Sequence, residues 1–443
     1  MVVCIPPTVR RARSSDRPGL SSEPRMPSLL PTGRTGRFSA RSRRKLWREV
    51  HFWLGLVAGT TLVVIGLTGS LLVYFKEIDA WLNPQLQIVA APPAGRAAYR
   101  PISEIVAAAR AAIPTGAQLG FTYYPRNEET AFWFFYSMGK GSQSGGSDTL
   151  NVFVNPYTAQ VTGTRVWYSA ESPFKNCLMG FIFKLHYALL LGTPGNTLVG
   201  ILCVFFIISS LTGLILWWPI TGKWRQAFLF KKHASSERLN HDLHKLSGFY
   251  SLVVLLAVLV SGVYFNLGPQ FRWLVELFAP VTHRPDIVGK QQAHGTTISI
   301  DRVEEVVHQR FPDGQWFAFS LPPQTSAMPG NRPLPYRVAQ LVPSAWGFVG
   351  RREIIVDQYS GEILHVGDPF RGRGGDVFIQ WQWPLHSGYA LGMPGRILVL
   401  IAGIVCAVLY VTGIIRWLQK RRASRLAERR RCALPIPMSE ARS

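Results

Sequence analysis

The sequence predicts a membrane all-α four-helix bundle made of two parallel two-helix repeats, with two small α+β extracytoplasmic domains. Three observations predict it: four long runs free of charged residues, a basic excess confined to one set of connecting segments, and a repeat relating the two halves of the chain. Of the 443 residues 47% are hydrophobic and only 16% charged, where soluble domains carry about 25% charged residues. The formal charge is nevertheless +23. High net charge on few charged residues points to apolar blocks flanked by basic patches, not to a nucleic-acid surface. The five cysteines (Cys4, Cys177, Cys203, Cys406, Cys432) form no CxxC pair. That spacing excludes a disulfide framework, a zinc ribbon and a cysteine-ligated iron–sulfur cluster as the main chemistry.

Residues 1–42 are rich in Arg, Ser, Pro and Gly and read as a disordered basic leader. No cleavable signal is recognisable ahead of the first span, which is expected to act as an uncleaved anchor. No Asp, Glu, Lys or Arg occurs between Glu49 and Lys76, from Leu185 to Gly222, from Leu246 to Phe271, or from Ile397 to Ile415. A helix crossing a hydrocarbon layer of about 30 Å takes about 20 apolar residues, so each run suffices. The spans are 51–75, 196–218, 246–266 and 395–416. The expected segments are a first membrane helix over 43–76 and a first outside domain over 77–184. An interfacial segment and second helix follow over 185–219, a loop over 220–245 and a third helix over 246–267. The second outside domain covers 268–384, an interfacial segment and fourth helix 385–418, and a basic tail 419–443.

Charge gives the orientation. Residues 1–50, 220–245 and 416–443 together hold 27 basic and 7 acidic residues. The two long segments, 76–184 and 266–396, hold 21 and 18. Short basic segments stay on the cytoplasmic side, so both termini and the loop are expected inside and both long segments outside. The lipid bilayer accounts for the basic pI with no nucleic-acid partner.

The two halves correspond residue by residue. His186, Gly192, Pro194, Gly195, Thr212, Gly213 and Trp217 recur 200 positions later as His386, Gly392, Pro394, Gly395, Thr412, Gly413 and Trp417. His51, Gly55 and Gly69 match His244, Gly248 and Gly262 at an offset of 193. In the outside segments Val154–Val161 resembles Val356–Ile363, a strand–turn–strand pattern, and each follows a helical stretch, Ile102–Ile113 and Ile300–Phe311. Two crossings per half give both halves one orientation, a parallel repeat with its pseudo-two-fold axis along the membrane normal.

Four of the ten histidines occupy repeat-equivalent membrane boundaries: His51 and His244 inside, His186 and His386 outside. A haem takes two axial nitrogens from opposite faces of a flat macrocycle, and helix bundles supply them from facing helices. Two symmetric pairs therefore suggest two haems, each held by a pair of histidines. Gly55 and Gly59 lie at i+4 and i+8 from His51, and Gly248 at i+4 from His244, which would leave a slot beside each ligand. Gly55–Gly59 also has the spacing of simple helix packing. His241 is an alternative ligand to His244 or a propionate contact, with Arg48 opposite it in the repeat. Lys45, Arg48 and Lys245 inside, and Lys184, Arg371 and Arg396 outside, are candidate propionate cations. The same imidazoles could instead bind a metal or relay protons.

The remaining histidines, His233, His283, His294, His308 and His365, have no repeat partners and read as surface residues. Trp167, Trp346, Trp381 and Trp383 read as interface anchors or domain core; Trp381 and Trp383, just ahead of His386, could also line a reduction surface. Gly372–Gly375 is a weak phosphate-loop candidate, because neither a preceding strand nor a helix opening there is evident. No HExxH or Ser/His/Asp arrangement supports hydrolysis.

Arg48-Glu-Val-His51 with its Gly-rich span, His241-Asp-Leu-His244, the two Leu-His elements at His186 and His386, and the two Tyr-(Thr/Ser)-x-x-(Val/Ile) turns resemble the PepSY-associated transmembrane proteins, also described as iron-regulated membrane proteins, over about residues 43–420. The resemblance implies a multi-pass protein of the bacterial inner membrane with two PepSY-like periplasmic domains. Members similar to ferric-siderophore reductases carry two b-type haems and pass electrons outward to chelated Fe(III). No flavin or nicotinamide reductase module is visible, so the electron donor is expected to be separate, a reductase or a quinol. Ala159 stands where the second turn has Gly361, which makes the first domain less typical. Two other readings compete: a membrane-tethered peptidase inhibitor or regulator without redox activity, and a transporter with a midplane site. Apart from Arg396 and Arg416 at the two ends of the fourth, no charged residue lies inside the four spans, which weighs against the transporter.

Overall fold

The computed structural model describes residues 40–138, 148–169, 172–219, 222–282, 296–322 and 334–433. The leader up to residue 39, His283, His294 and the end of the tail lie outside the described residues. In chain order the elements are α1 (Ala40–Leu72), α2 (Phe75–Leu82), α3 (Pro84–Gln87), α4 (Ile102–Ala111), β1 (Gln118–Tyr123), β2 (Phe132–Ser137), β3 (Thr149–Val154), β4 (Val161–Tyr168), α5 (Leu178–Ala188) and α6 (Gly192–Trp217). The second half has α7 (Trp224–Phe228), α8 (Ser236–Asn266), α9 (Gly268–Glu276), α10 (Ile300–Arg310), β5 (Gln315–Ser320), β6 (Tyr336–Pro343), β7 (Val349–Val356), β8 (Ile363–Gly367), α11 (Gly374–Ser387) and α12 (Gly392–Ala433).

Among the described residues four helices are long and apolar enough to cross a membrane: Arg43–Leu72, Gly192–Trp217, Ser236–Asn266 and Tyr389–Arg429, with mean hydropathy from 1.9 to 2.8. They form a closed bundle. α1 meets α12 where Gly66 lies against Cys406 and where the Ser70 hydroxyl donates to the Leu400 carbonyl at 2.8 Å. α6 meets α8 where Gly262 faces Cys203 and Gly200 faces Leu267. Small residues let helices approach where lipid supplies no hydrophobic drive. In each half a short helix, α5 or α11, runs into a sharp corner before α6 or α12. Gly195 and Gly395 pack directly on the carbonyls of Ala188 and Gly388 there, leaving no room for a Cβ. This is why Gly195 repeats as Gly395.

The two long segments between the membrane helices do not form two separate domains. They build one eight-stranded antiparallel sheet, ordered β4-β3-β2-β1-β5-β6-β7-β8. The halves join edge to edge, with Thr122 opposite Phe319 and Tyr123 opposite Ala318. An exposed strand edge presents unpaired amides and carbonyls, and pairing the two edges removes them. The core is shared as well: Ile105, Phe132 and Phe134 from the first half pack with Val303, Phe319 and Ile354 from the second beneath α4 and α10. On the other face, alternate residues Trp133, Phe135 and Phe153 pack against Met179 and Ile182 of α5, as the period of two requires. A bidentate pair fastens α2 to β4, with Arg165 donating to Asp79 at 2.9 and 2.6 Å.

The predicted turns fall between β3 and β4 and between β7 and β8, and Ala159 and Gly361 both adopt left-handed backbone, with φ of 54° and 73°. The reading of Gly372–Gly375 requires correction, because β8 ends at Gly367 and α11 opens at Gly374. It is still no phosphate cradle. Asp376, in the first turn, accepts from the amide and hydroxyl of Thr282, and Gly375 packs on the Pro280 carbonyl. The glycines bring the helix start close to residues 279–281.

Candidate histidine centres in the bundle

Repeat-equivalent histidines face each other across the bundle in two pairs. The His51 and His244 ring centres are 6.2 Å apart, and those of His186 and His386 6.1 Å. His51 and His244 project from α1 and α8; His186 and His386 come from α5 and α11, on the sheet side. The carbonyl that holds His186 is Ile65, 14 residues along α1 from His51. Val258, which holds His386, is 14 residues along α8 from His244. At 1.5 Å per residue the two centres are about 21 Å apart along the helices.

Each imidazole is held by the same device. His51 Nδ1 lies 2.9 Å from the Ser209 carbonyl and 3.3 Å from the Thr212 hydroxyl. For His244 the partners are the Leu409 carbonyl at 3.1 Å and the Thr412 hydroxyl at 2.9 Å. For His186 they are the Ile65 carbonyl at 2.9 Å and the Thr68 hydroxyl at 3.2 Å. For His386 they are the Val258 carbonyl at 3.1 Å and the Ser261 hydroxyl at 2.8 Å. A carbonyl can only accept. Each hydroxyl spends its own proton on a backbone carbonyl of its helix, Ser209, Val408, Val64 and Ala257 respectively. Nδ1 is therefore the protonated nitrogen in all four rings, and Nε2 keeps its lone pair. This is how proteins present an imidazole to a metal: the second nitrogen is tied to a carbonyl, which fixes both tautomer and ring orientation.

Glycines make room for the rings. A Cβ at Gly213 would stand 3.1 Å from His51 Cε1, one at Gly413 3.5 Å from His244 Cε1, and one at Gly69 2.8 Å from His186 Cε1. The slot expected at Gly59 needs correction, because the Tyr410 ring fills it. Its hydroxyl also meets that of Thr60 at 2.7 Å, so Gly59 serves helix packing. Gly55 faces open space, and Gly248 touches Leu409.

Of the alternative residues, His241 stacks on no other histidine among the described residues; its Nδ1 lies 3.6 Å from the buried Asp242. Asp242 gathers Arg238 and Lys245, each at 3.1 Å, and the Lys231 amide, so it anchors the 222–235 connection to α8. Arg48 is half-exposed and paired with its neighbour Glu49 at 3.2 Å. Lys184 lies over the Tyr168 ring at 4.0 Å. Arg396 alone of the candidate outer cations is buried. Trp381 donates to the Pro369 carbonyl and packs on Phe370; Trp383 packs on Phe317 and Tyr389, beside His386. His308 lines a shallow cleft with Glu304, Trp316 and Tyr124 on the far side of the sheet.

Sequence reasoning missed Thr68 and Ser261, and it noted Thr212 and Thr412 without a role. The signal was present: Thr68 and Ser261 are both hydroxyl-bearing and stand 193 positions apart.

No group of three or more His, Cys, Asp or Glu able to hold a bare metal ion occurs among the described residues. No curated protein matches the chain in a sequence comparison. The family described as PepSY-associated TM region matches residues 48–420, which takes in the four paired histidines, both halves of the sheet and most of each of the four apolar helices. The chain belongs to the PepSY-associated transmembrane family.

Proposed function

We propose that this protein is a di-haem oxidoreductase of the bacterial inner membrane, passing electrons from a separate donor on the cytoplasmic side to a periplasmic acceptor, an Fe(III)–siderophore above all, and so aiding iron release. The observation that carries the reading is the four-fold recurrence of an imidazole whose Nδ1 is committed to a carbonyl, in two facing pairs. The spacing supports it. The ring centres stand 6.2 and 6.1 Å apart in the two pairs, a separation that would leave room for one metal atom between two imidazoles with metal–nitrogen bonds of about 2 Å. The donor set also fits: two nitrogens without a third protein ligand suit an iron whose other positions a porphyrin fills. Bound there, haem b would supply a one-electron carrier near each leaflet, and reducing Fe(III) to Fe(II) would weaken its chelation by hard oxygens. The chain's own part is to hold four neutral imidazoles rigidly in an apolar bundle. The basic loop and tail favour a cytoplasmic location for the His51 end, and the sheet then covers the periplasmic exit.

The test is haem stoichiometry and the dithionite-reduced spectrum of the purified protein. Two b-type haems per chain are expected, and His186→Ala should lose about one of them. Colourless protein after expression with haem precursor would sink the redox reading.

A further inference from the structure

The repeat breaks down in charge on the sheet side of the bundle. Lys76 in α2, Arg126 in the β1–β2 connection and Arg396 in α12 converge there on one carboxylate, Glu77, which pairs with Arg126 and Arg396 at 2.9 Å each. Lys76 is 4% exposed, and its ammonium has no hydrogen-bond partner. It sits over the rings of Tyr123 at 3.6 Å and Phe317 at 4.2 Å. Arg396 is 7% exposed; its Nη2 donates to the Val73 carbonyl, while its buried Nε has no partner. Its guanidinium lies over Tyr74 at 4.3 Å and Tyr389 at 5.2 Å.

Lys76 and Arg396 are buried, while Arg126 and Glu77 keep 29% and 38% of their side-chain surface exposed; two buried cations against one part-exposed acid is an arrangement that folding disfavours unless a further anion completes it. Aromatic faces offset only part of that. Burial, with Arg126 adding to it, also holds the Lys76 ammonium well below the ordinary lysine range despite Glu77. Packing does not require these charges. At the offsets of 193 and 200, Lys76 corresponds to Pro269, Glu77 to Gln270 and Arg396 to Asn196. The other half of the bundle fills the same places without a charge.

The cluster lies beside the sheet-side histidine pair. His186 packs against Gly69, and Val73, which Arg396 binds, is one turn further on, about 6 Å along the helix. Tyr389, the other ring under Arg396, is three residues from His386. We propose that Lys76 and Arg396 form a carboxylate clamp for the group held by His186 and His386, drawing its acidic side arms to the α2–α12 side of the bundle. The inference rests on the haem reading. A porphyrin's two propionates would bring two negative charges to a cluster with two positive charges in excess. The one-sided clamp would then give the outer macrocycle a single orientation, although the ligand pair is symmetric.

The experiment uses the full-length, haem-loaded protein and follows haem transfer to excess apomyoglobin. It compares the wild type with Lys76→Met, Arg396→Gln, Arg396→Lys and the repeat-equivalent control Asn196→Ala. Lys76→Met and Arg396→Gln should each release one of the two haems about ten- to a hundred-fold faster, the range expected for losing a charged hydrogen bond. Arg396→Lys should restore much of the retention, and Asn196→Ala should leave both haems at the wild-type rate. Wild type reconstituted with iron protoporphyrin dimethyl ester, which has no free carboxylates, should lose one group as fast as the variants, and the substitutions should then have no further effect. Lys76→Met removes no hydrogen bond within the protein itself, so it stays informative if Arg396→Gln fails to fold. Two haems in the wild type, with release unchanged in both variants or ester held as tightly as the free acid, would overturn the clamp alone. A lipid phosphate or free anion would then be the charge partner. A wild type without haem would overturn clamp and haem reading together.

Discussion

Replacing Gly69 by alanine probes the histidine geometry where the two halves differ. A Cβ there would stand 2.8 Å from Cε1 of His186, well inside the 3.5–4.0 Å or so of an ordinary carbon contact. The ring must therefore retreat from α1 by about 0.7 Å or more. Its Nδ1 is 2.9 Å from the Ile65 carbonyl, also on α1, so the retreat stretches that bond beyond about 3.5 Å, where hydrogen bonding lapses. The lost bond costs about 1 kcal/mol and the overpacking about 1–2 kcal/mol more. Together that is about 2–3 kcal/mol, or roughly 30- to 140-fold in affinity at one centre. Gly262, its repeat equivalent, would press on Cys203 Sγ at 2.9 Å and on no histidine. The assay is haem per chain and haem release from both variants. Gly69→Ala should hold one haem weakly, while Gly262→Ala should keep both. If Gly69→Ala retains two haems at the wild-type release rate, or if both variants lose haem equally, the inference from ring placement to ligation fails.

Two further outcomes concern the sheet and its buried lysine. Ala159 adopts φ of 54° where its repeat partner is Gly361; a left-handed residue with a Cβ costs about 1–2 kcal/mol, part of which glycine gives back through its freer unfolded chain. Ala159→Gly should therefore raise the apparent Tm of the purified protein modestly; a fall would show that the turn tolerates alanine without strain. The second is a pH dependence in protein produced without haem, where Lys76 has only Glu77 nearby to oppose its desolvation. Its folded pKa lies well below the ordinary lysine value, so between the two values the unfolded chain binds more protons and stability rises with pH. Thermal unfolding at pH 7 and pH 10 should show a smaller gain for Lys76→Met than for the wild type, and parallel profiles would refute the buried-charge account.

The amino-acid sequence by itself determined the membrane helices, the duplication and the four histidine positions. These are local or periodic properties: a run without charges is apolar whatever surrounds it, and a repeat is visible as identity at a constant offset. The strand–turn–strand units at Val154–Val161 and Val356–Ile363 were legible for the same reason. Tertiary structure alone decided that the two long segments between the membrane helices share one sheet, because the β1–β5 pairing joins strands about 200 residues apart and no pattern within either strand names its partner. It alone decided that Gly59 accommodates Tyr410 while Gly69 and Gly213 accommodate histidines, since spacing says which residues share a helix face and not what stands opposite. The hydroxyls of Thr68 and Ser261 became meaningful only when folding set them against Nδ1. Lys76 reads in sequence as the charge that ends a span; only the packed sheet above it turns that ammonium into a buried, unpaired cation.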